Sequence, residues 1–429
     1  MIEIIAYPEK DKWNYLIQRP ELNQEDLENK VNEILTDVKY NGDAAVIKYT
    51  RMYDSDRIES LKVNPKILQE SVDKVSNELK EAIEVAIENI TKFHSAQLEK
   101  QEVIETMPGV KCWRKSIAIE KVGLYIPGGT APLFSTLLML VIPAKIAGCK
   151  QIVVCTPPNK ERKIAPEILY AGYRLGITDF YACGGAQAIG AMAFGTETIP
   201  AVYKIFGPGN QYVTEAKRQI QKWGVATDLP AGPSEVLVIA EEVADPKFVV
   251  ADLLSQAEHG VDSQVILLTN NEKMVPFIQK ELQIQMELLP RKEIAKQSLK
   301  NSKCIILRSR EDMIAFSNLY APEHLIIHSE FIDWYEERVI NAGSVFLGKY
   351  TPESAGDYAS GTNHTLPTNG FAKNYSGVSV DSFIKKITFQ HITPEGLSQL
   401  AKPVIEMAKA EQLNAHAKAI EIRLNTLQS

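Results

Sequence analysis

Seven histidines occur in the 429 residues, and four of them stand in company that can do chemistry. In D-L-L-S-Q-A-E-H-G (Asp252 to Gly260), Gln256 and His259 are three apart. On a helix they share a face, and Gly260 is placed to end that helix. An imidazole and a side-chain carbonyl so arranged can hold a divalent cation; the other reading is a helix C-terminus where histidine meets the dipole. In Y-A-P-E-H-L (Tyr320 to Leu325), Glu323 adjoins His324 just before an apolar run. The two could form a proton-transfer pair near strand carboxyl ends, where open α/β sheets bind ligands, or simply a solvated turn. A third cluster, G-D-Y-A-S-G-T-N-H-T-L-P-T (Gly356 to Thr368), carries Asp357 and His364 in a long polar loop. Such loops are often functional, although an ordinary surface loop reads the same way. Glu411 and His416 lie five apart in the last helical stretch, a pair that any surface helix can carry. Together these clusters offer two histidines, a glutamine and an aspartate as ligands, with glutamate and histidine left for acid–base work. Nitrogen and oxygen donors without thiolate suit Zn²⁺ or Mn²⁺ in a catalytic site. H-E-x-x-H is absent, so a zincin-type protease has no support.

Four glycine- and proline-bearing turns lie in or just after strand-like runs. They are Y-I-P-G-G (Tyr125 to Gly129), C-G-G-A-Q (Cys183 to Gln187), F-G-P-G-N (Phe206 to Asn210) and A-G-P-S-E (Ala231 to Glu235). Glycine permits close backbone approach, and helix N-termini favour phosphate. None matches a dinucleotide or Walker fingerprint, so the turns read either as a nucleotide site or as tight βα connections. Cys183 invites a thiohemiacetal role, but no basic residue adjoins it, and a buried structural thiol is the simpler reading. His94, His328 and His391 are assigned to structure or surface.

These residues need a scaffold. Leu27, Val31, Ile34, Leu35 and Val38 share a helical face, and helical texture continues from about 66 to 98. From about 120, apolar β-branched runs alternate with helical stretches. Runs at 151–156, 179–183, 202–206 and 235–240 are separated by helices near 133–147, 165–174 and 211–223. A second set has strands at 264–269, 304–307, 325–328 and 344–347, with helices near 247–259, 271–288 and 331–340. This is the rhythm of mostly parallel sheets, in two α/β units meeting near 230–240. A strand-like run at 383–390 precedes two helices, the final one from about Val404 to Asn425. That tail is too small for a core of its own, so it is expected to pack elsewhere on the protein or on a second subunit.

Composition is ordinary: 45% hydrophobic, 24% charged, net charge −7. No strongly basic stretch suggests nucleic acid, and no apolar run is long enough for a membrane span. The start, Met1-Ile2-Glu3-Ile4, has no basic-then-apolar leader. Five cysteines without C-x-x-C spacing fit a reducing cytoplasm.

D-L-P-A-G-P-S-E-V-L-V-I-A (Asp228 to Ala240), followed by D-L-L-S-Q-A-E-H-G, resembles the signature of histidinol dehydrogenases. So do G-L-Y-I-P-G-G, C-G-G-A-Q-A-I, F-G-P-G-N, A-P-E-H-L and S-G-T-N-H-T-L-P-T, in order from about residue 120 to 420. The resemblance implies oxidation of L-histidinol to L-histidine through histidinal, with two NAD⁺ and one water, as the last step of histidine biosynthesis. It implies Gln256, His259, Asp357 and His416 as ligands of one Zn²⁺ per subunit, with His416 coming from the partner. It implies substrate contacts at Ser234, Gln256, His259, His324, Asp357, His364, Glu411 and His416. Tyr125, Gln187 and Asn210 match the NAD-contacting positions, and Glu323 and His324 the proton-transfer pair. The implied fold is α/β: two incomplete Rossmann-like parallel-sheet domains, a helical N-terminal arm and a small C-terminal tail, in a domain-swapped homodimer. The corresponding boundaries are an arm at 1–22, a first domain at 23–234, a second at 235–375, and a tail at 376–429 packing on the partner subunit. The segment from Asn369 to Tyr375 resembles the family less closely. Outside that family, a metal-dependent hydrolase would use the same ligand set without a nucleotide, and a binding protein would need neither Glu323 nor His324.

Overall fold

A computed structural model describes residues 2–19, 25–128, 132–230 and 232–428. Pro20, Glu21 and Leu22 at the end of the expected arm, Gly129 of the first turn and Ala231 of the fourth lie outside the described residues. The strands are β1 Glu3–Ala6, β2 Val103–Met107, β3 Val110–Ala118, β4 Lys121–Tyr125, β5 Gln151–Thr156, β6 Asp179–Ala182 and β7 Lys204–Phe206, followed by β8 Ala226–Thr227, β9 Glu235–Ala240, β10 Gln264–Thr269, β11 Lys303–Ile306, β12 His324–His328, β13 Ser344–Leu347 and β14 Ile384–Ile392. Contacts divide the chain into two units, Met1–Ala96 with Ile119–Phe383, and Gln97–Ala118 with Ile384–Ser429.

The larger unit is mixed α/β and holds two parallel sheets. One runs β6-β5-β4-β7-β8 and the other β1-β11-β10-β9-β12-β13. From β4 in the first and from β9 in the second, the chain starts at a central strand, steps outward twice, then returns to the other side, an order consistent with Rossmann-like domains; β1 joins the second sheet at its β11 edge. Strands buried on both faces must be apolar at every position rather than at alternate ones. All six residues of β9 and of β10 are buried.

Alternation along each strand feeds two cores. On the first sheet, Val122, Leu124 and Phe180 meet Ile83, Ile90 and Leu137. The opposite face sets Tyr125, Val153 and Tyr181 against Val31, Leu35 and Val38. The early helices Glu25–Tyr53 and Asn77–Ser95 therefore cover the two faces of this sheet. On the second sheet, Val236 and Val238 pack with Val249 and Leu253, while Leu237 and Ile239 pack with Trp13 and Leu16. Each such side chain contributes about 1.5–3 kcal/mol by burial.

In the smaller unit, β14, β3 and β2 form an antiparallel sheet, and helices Pro394–Ala410 and Asn414–Gln428 pack on each other. Strands β1, β2 and β3 had no counterpart in the sequence reading. The tail holds two helices as expected, but the final one, expected from about Val404, begins at Asn414. Gln412 takes a left-handed backbone (φ 60°), which breaks the hydrogen-bond ladder between them. Among the described residues no helix is long and apolar enough to cross a membrane.

Candidate active site

The residues singled out by type gather at the amino ends of the second sheet's strands, not at carboxyl ends as the sequence reading expected. Glu235 begins β9, Gln264 begins β10 and His324 begins β12. The helix Pro246–Ala257, capped by the Asp245 side chain, runs back from the end of β9 and delivers Gln256 and His259 to this edge. It ends at Ala257, before Gly260, so His259 stands just past its last turn. Helix Glu353–Tyr358 brings Asp357.

His324 is the hub. Its Nδ1 lies 3.6 Å from Glu323 Oε2 and its Nε2 lies 3.4 Å from Asp357 Oδ1. Burial alone would lower its pKa, but the carboxylates of Glu353, Glu323 and Asp357 outweigh that and raise it well above the usual value. Burial pushes Glu323 and Glu353 up to about 8 each. Burial also opposes ionisation of Asp357, yet His324, His364 and His259 hold it below its ordinary value.

His259, Glu353 and Asp357 each present one ligand atom, all within 4.8 Å of one another. Glu353 was not among the sequence-derived candidates. Its signal was the i, i+4 spacing to Asp357, which puts both carboxylates on one helical face. Gln256 adjoins this group: with its amide turned so that both ends are satisfied, it donates to Glu353 and accepts from the Glu235 N–H at 2.8 Å. The donors are nitrogen and oxygen, and Glu353 Oε2 is buried without a hydrogen-bond partner, as a carboxylate awaiting a cation would be.

The Gly356–Thr368 loop is held from below by helix Asn77–Ser95. Asn89 donates to Ala359 O at 2.9 Å, and buried His94 bonds Ile90 O and faces Asn363. His364 is fixed at both ring nitrogens, Nδ1 donating to Asp357 O (2.9 Å) and Nε2 meeting Thr136 Oγ1 (3.1 Å). A small cavity of about 50 Å³ lies between Gly207, Pro208 and Asp228 on one side and Ser234, Glu323 and His364 on the other. It has room for one or two waters.

The three positions matched to NAD contacts lie at carboxyl ends of the first sheet. Tyr125 ends β4, and its hydroxyl accepts from the Gly185 N–H at 3.2 Å. Gln187 sits in the first turn of helix Gly185–Phe194, and its amide lies 3.5 Å from Asp54 Oδ2. Asn210 caps helix Gln211–Ile220, accepting from Tyr212 and Val213. Between β4 and β7, where the strand order reverses, Gly207 has φ +121°, and a Cβ there would overlap the Tyr125 carbonyl oxygen. A buried Lys217–Asp228 ion pair pins the same turn, with Lys217 donating to Gly207 O and Asp228 accepting from the Gly207 N–H.

Cys183 is buried, and its contact with Cys155, together with burial, holds its thiol well above the usual value, which disfavours the thiolate that a nucleophile needs. His328 is buried against Asp252 at 2.9 Å, and His391 is exposed on β14. Glu411 and His416 are exposed in the smaller unit.

A family profile described as histidinol dehydrogenase matches residues 17–424. The chain belongs to the histidinol dehydrogenase family. It is 55% identical to histidinol dehydrogenase of Bacteroides thetaiotaomicron and 53% identical to that of Bacteroides fragilis, covering 100% of each chain in both comparisons. The crystal structure of histidinol dehydrogenase from Elizabethkingia anophelis is similar at a TM-score of 0.97 and 54% identity, covering 100% of this chain and 99% of that one. Membership in this oxidoreductase family displaces the hydrolase and binding-protein readings.

Proposed function

We propose that this chain oxidises L-histidinol to L-histidine through histidinal, the closing step of histidine biosynthesis. Two two-electron oxidations reduce two NAD⁺ and consume one water. The observation that carries the reading is the convergence of buried Gln256, Glu323 and His324 with half-buried Asp357 and exposed His259 on one sheet edge beside Ser234.

His259, Asp357 and Gln256, with Glu353 beside them, suit a zinc ion, one per subunit. When bound, zinc supplies an anchor for the substrate's imidazole and amine nitrogens, and NAD⁺ the acceptor for hydride. Tyr125, Gln187 and Asn210 would hold the nucleotide. His324 takes the alcohol proton in the first oxidation; three surrounding carboxylates stabilise its charged form. Glu323, buried and basic enough to accept a proton near neutral pH, draws a proton from the water that attacks the aldehyde. A positioned base of this kind is worth about 10²–10⁴-fold. His364, locked by Asp357 O and Thr136, and Ser234 shape the substrate's far side.

The fourth ligand, His416, and a further substrate contact, Glu411, would come from the partner subunit of a domain-swapped homodimer. In support, one face of the smaller unit's sheet leaves Val103, Ile387 and Phe389 exposed, an apolar surface that a second copy would cover. The cytoplasm, with its reduced thiols, is the compartment in this reading, and neither nucleic acid nor membrane is a partner.

The test is NADH absorbance on mixing purified protein with L-histidinol and NAD⁺. Two NADH per L-histidine formed is the expected result. Absence of NADH with metal-loaded protein would overturn the proposal.

A further inference from the structure

One buried carboxylate next to the proton-transfer pair has no part in the chemistry above. Glu235 is 1% exposed. Its backbone N–H donates to Glu323 Oε2 at 2.9 Å and faces the Gln256 amide, and its carbonyl lies 3.3 Å from His324 Nδ1. A single peptide position thus touches three side chains of the site. Its carboxylate points the other way, into a fork made by Arg19. Nε and Nη2 of Arg19 reach Oε1 and Oε2, both at 2.9 Å. Nη2 also donates to Tyr320 O at 2.9 Å, and the guanidinium lies 3.8 Å from the centre of the Tyr320 ring. Asn369, in left-handed backbone on the loop beyond His364, donates its N–H to the same Glu235 carboxylate at 2.8 Å.

Arg19 belongs to the N-terminal arm, remote in sequence from every residue of the site. The neighbouring residue Gln18 is docked too, its carbonyl accepting from Gln264 Nε2 at 3.3 Å. Glu323, Glu353 and Asp357 already crowd negative charge at this edge. Glu235 adds another carboxylate, and Arg19 is the cation that balances it. A planar, bidentate fork fixes direction as well as charge, which an ammonium cannot do.

We propose that Arg19 is a positioning residue for the oxidation: by clamping Glu235 it sets the backbone that aims Glu323 and His324. The inference rests on the reading of Glu323 and His324 as the proton-transfer pair. Removing Arg19 leaves Glu235 buried and unpaired, so its backbone shifts or its carboxylate swings away. A misplacement of about 1 Å far from the reacting atoms can cost about 10²-fold in rate.

The experiment compares Arg19→Ala, Arg19→Lys, Glu323→Gln and the double variant Arg19→Met/Glu235→Gln in steady-state turnover of L-histidinol, with thermal melting to verify folding. Arg19→Ala is expected to lower kcat about 10²-fold while KM for L-histidinol holds within about twofold. Arg19→Lys keeps the charge and loses the fork, so it should fall between Arg19→Ala and the parent. The double variant removes the stranded charge and should recover part of the lost kcat. If folded Arg19→Ala, or Arg19→Lys where Ala does not fold, keeps parental kcat while Glu323→Gln has lost it, the clamp has no role. A double variant no faster than Arg19→Ala overturns the charge argument. If Glu323→Gln itself turns over normally, the proton-transfer reading fails first, and the clamp's role with it.

Discussion

His324 Nε2 stands 3.4 Å from Asp357 Oδ1, so the imidazole is tied to the carboxylate that also faces His259. The proposed base and the proposed metal group are therefore one network rather than two adjoining sites. His324→Asn keeps a polar group of similar reach but cannot carry a proton. It is expected to lower kcat about 10²–10⁴-fold with KM for L-histidinol little changed. Steady-state rates at saturating NAD⁺ check this, and near-normal kcat would remove His324 from the mechanism.

Glu323→Gln separates the two oxidations. In the proposed mechanism Glu323 serves as the base for the water that hydrates the aldehyde, while His324 serves the alcohol oxidation. The variant should oxidise L-histidinal more poorly, relative to parent, than it oxidises L-histidinol. Single-turnover NADH formation with each substrate measures the ratio. Equal losses would assign Glu323 to positioning alone.

Dialysis against a chelator should abolish turnover, and added Zn²⁺ should restore it. Because a ligand that binds only the folded state stabilises it, the melting temperature should drop on dialysis and recover with zinc. Glu353→Gln should weaken metal retention about 10–100-fold. Metal content by elemental analysis after gel filtration reports this, and undiminished zinc would place Glu353 outside the metal group.

Burial raises Asp54 from 3.8 to about 6, against a hydrogen bond from the Gly184 N–H. Between about pH 4 and 6 the folded chain keeps a proton that the unfolded chain has released. Stability from this group thus falls as pH rises through that window, and stays reduced above it. Asp54→Asn should match the parent below pH 4 and exceed it by about 1–3 kcal/mol above pH 6. Urea unfolding of both proteins across pH tests the sign. A gain that is the same at every pH would show that titration is not the cause.

Gly207→Ala places a methyl against the Tyr125 carbonyl in a backbone region closed to alanine. A loss of about 2 kcal/mol or more is expected, read by urea denaturation. A neutral substitution would mean that the β4–β7 junction is not held where it lies.

Strands β9 and β10, buried at every residue, and β5, buried over its last four, were readable as largely apolar runs, which is why they fall where the residues suggested. Strands β2 and β3 were not, because half-exposed residues such as Val103, Glu105 and Lys115 carry no apolar run. Side-chain type located Glu323, His324, His259 and Asp357. It did not reveal Glu353, whose burial arises only when its short helix docks, nor Arg19, whose partner lies more than two hundred positions away. The sequence reading also put the chemistry at the wrong end of the second sheet. Glu323 precedes β12 and His324 begins it, and the start of a parallel strand lies at the amino edge.

Strand β14 pairs along its whole length with β3, more than half the chain away. During synthesis the β2–β3 hairpin leaves the ribosome long before its third strand exists. At about 5–20 residues per second the wait is on the order of tens of seconds. Through that interval Trp113, which ends up stacked on Phe389, lacks its partner ring, and one edge of β3 is open to pairing with a neighbouring nascent chain. Truncation at the C-terminus would make that transient condition permanent, so stalled or clipped chains should be the aggregating species in the cell.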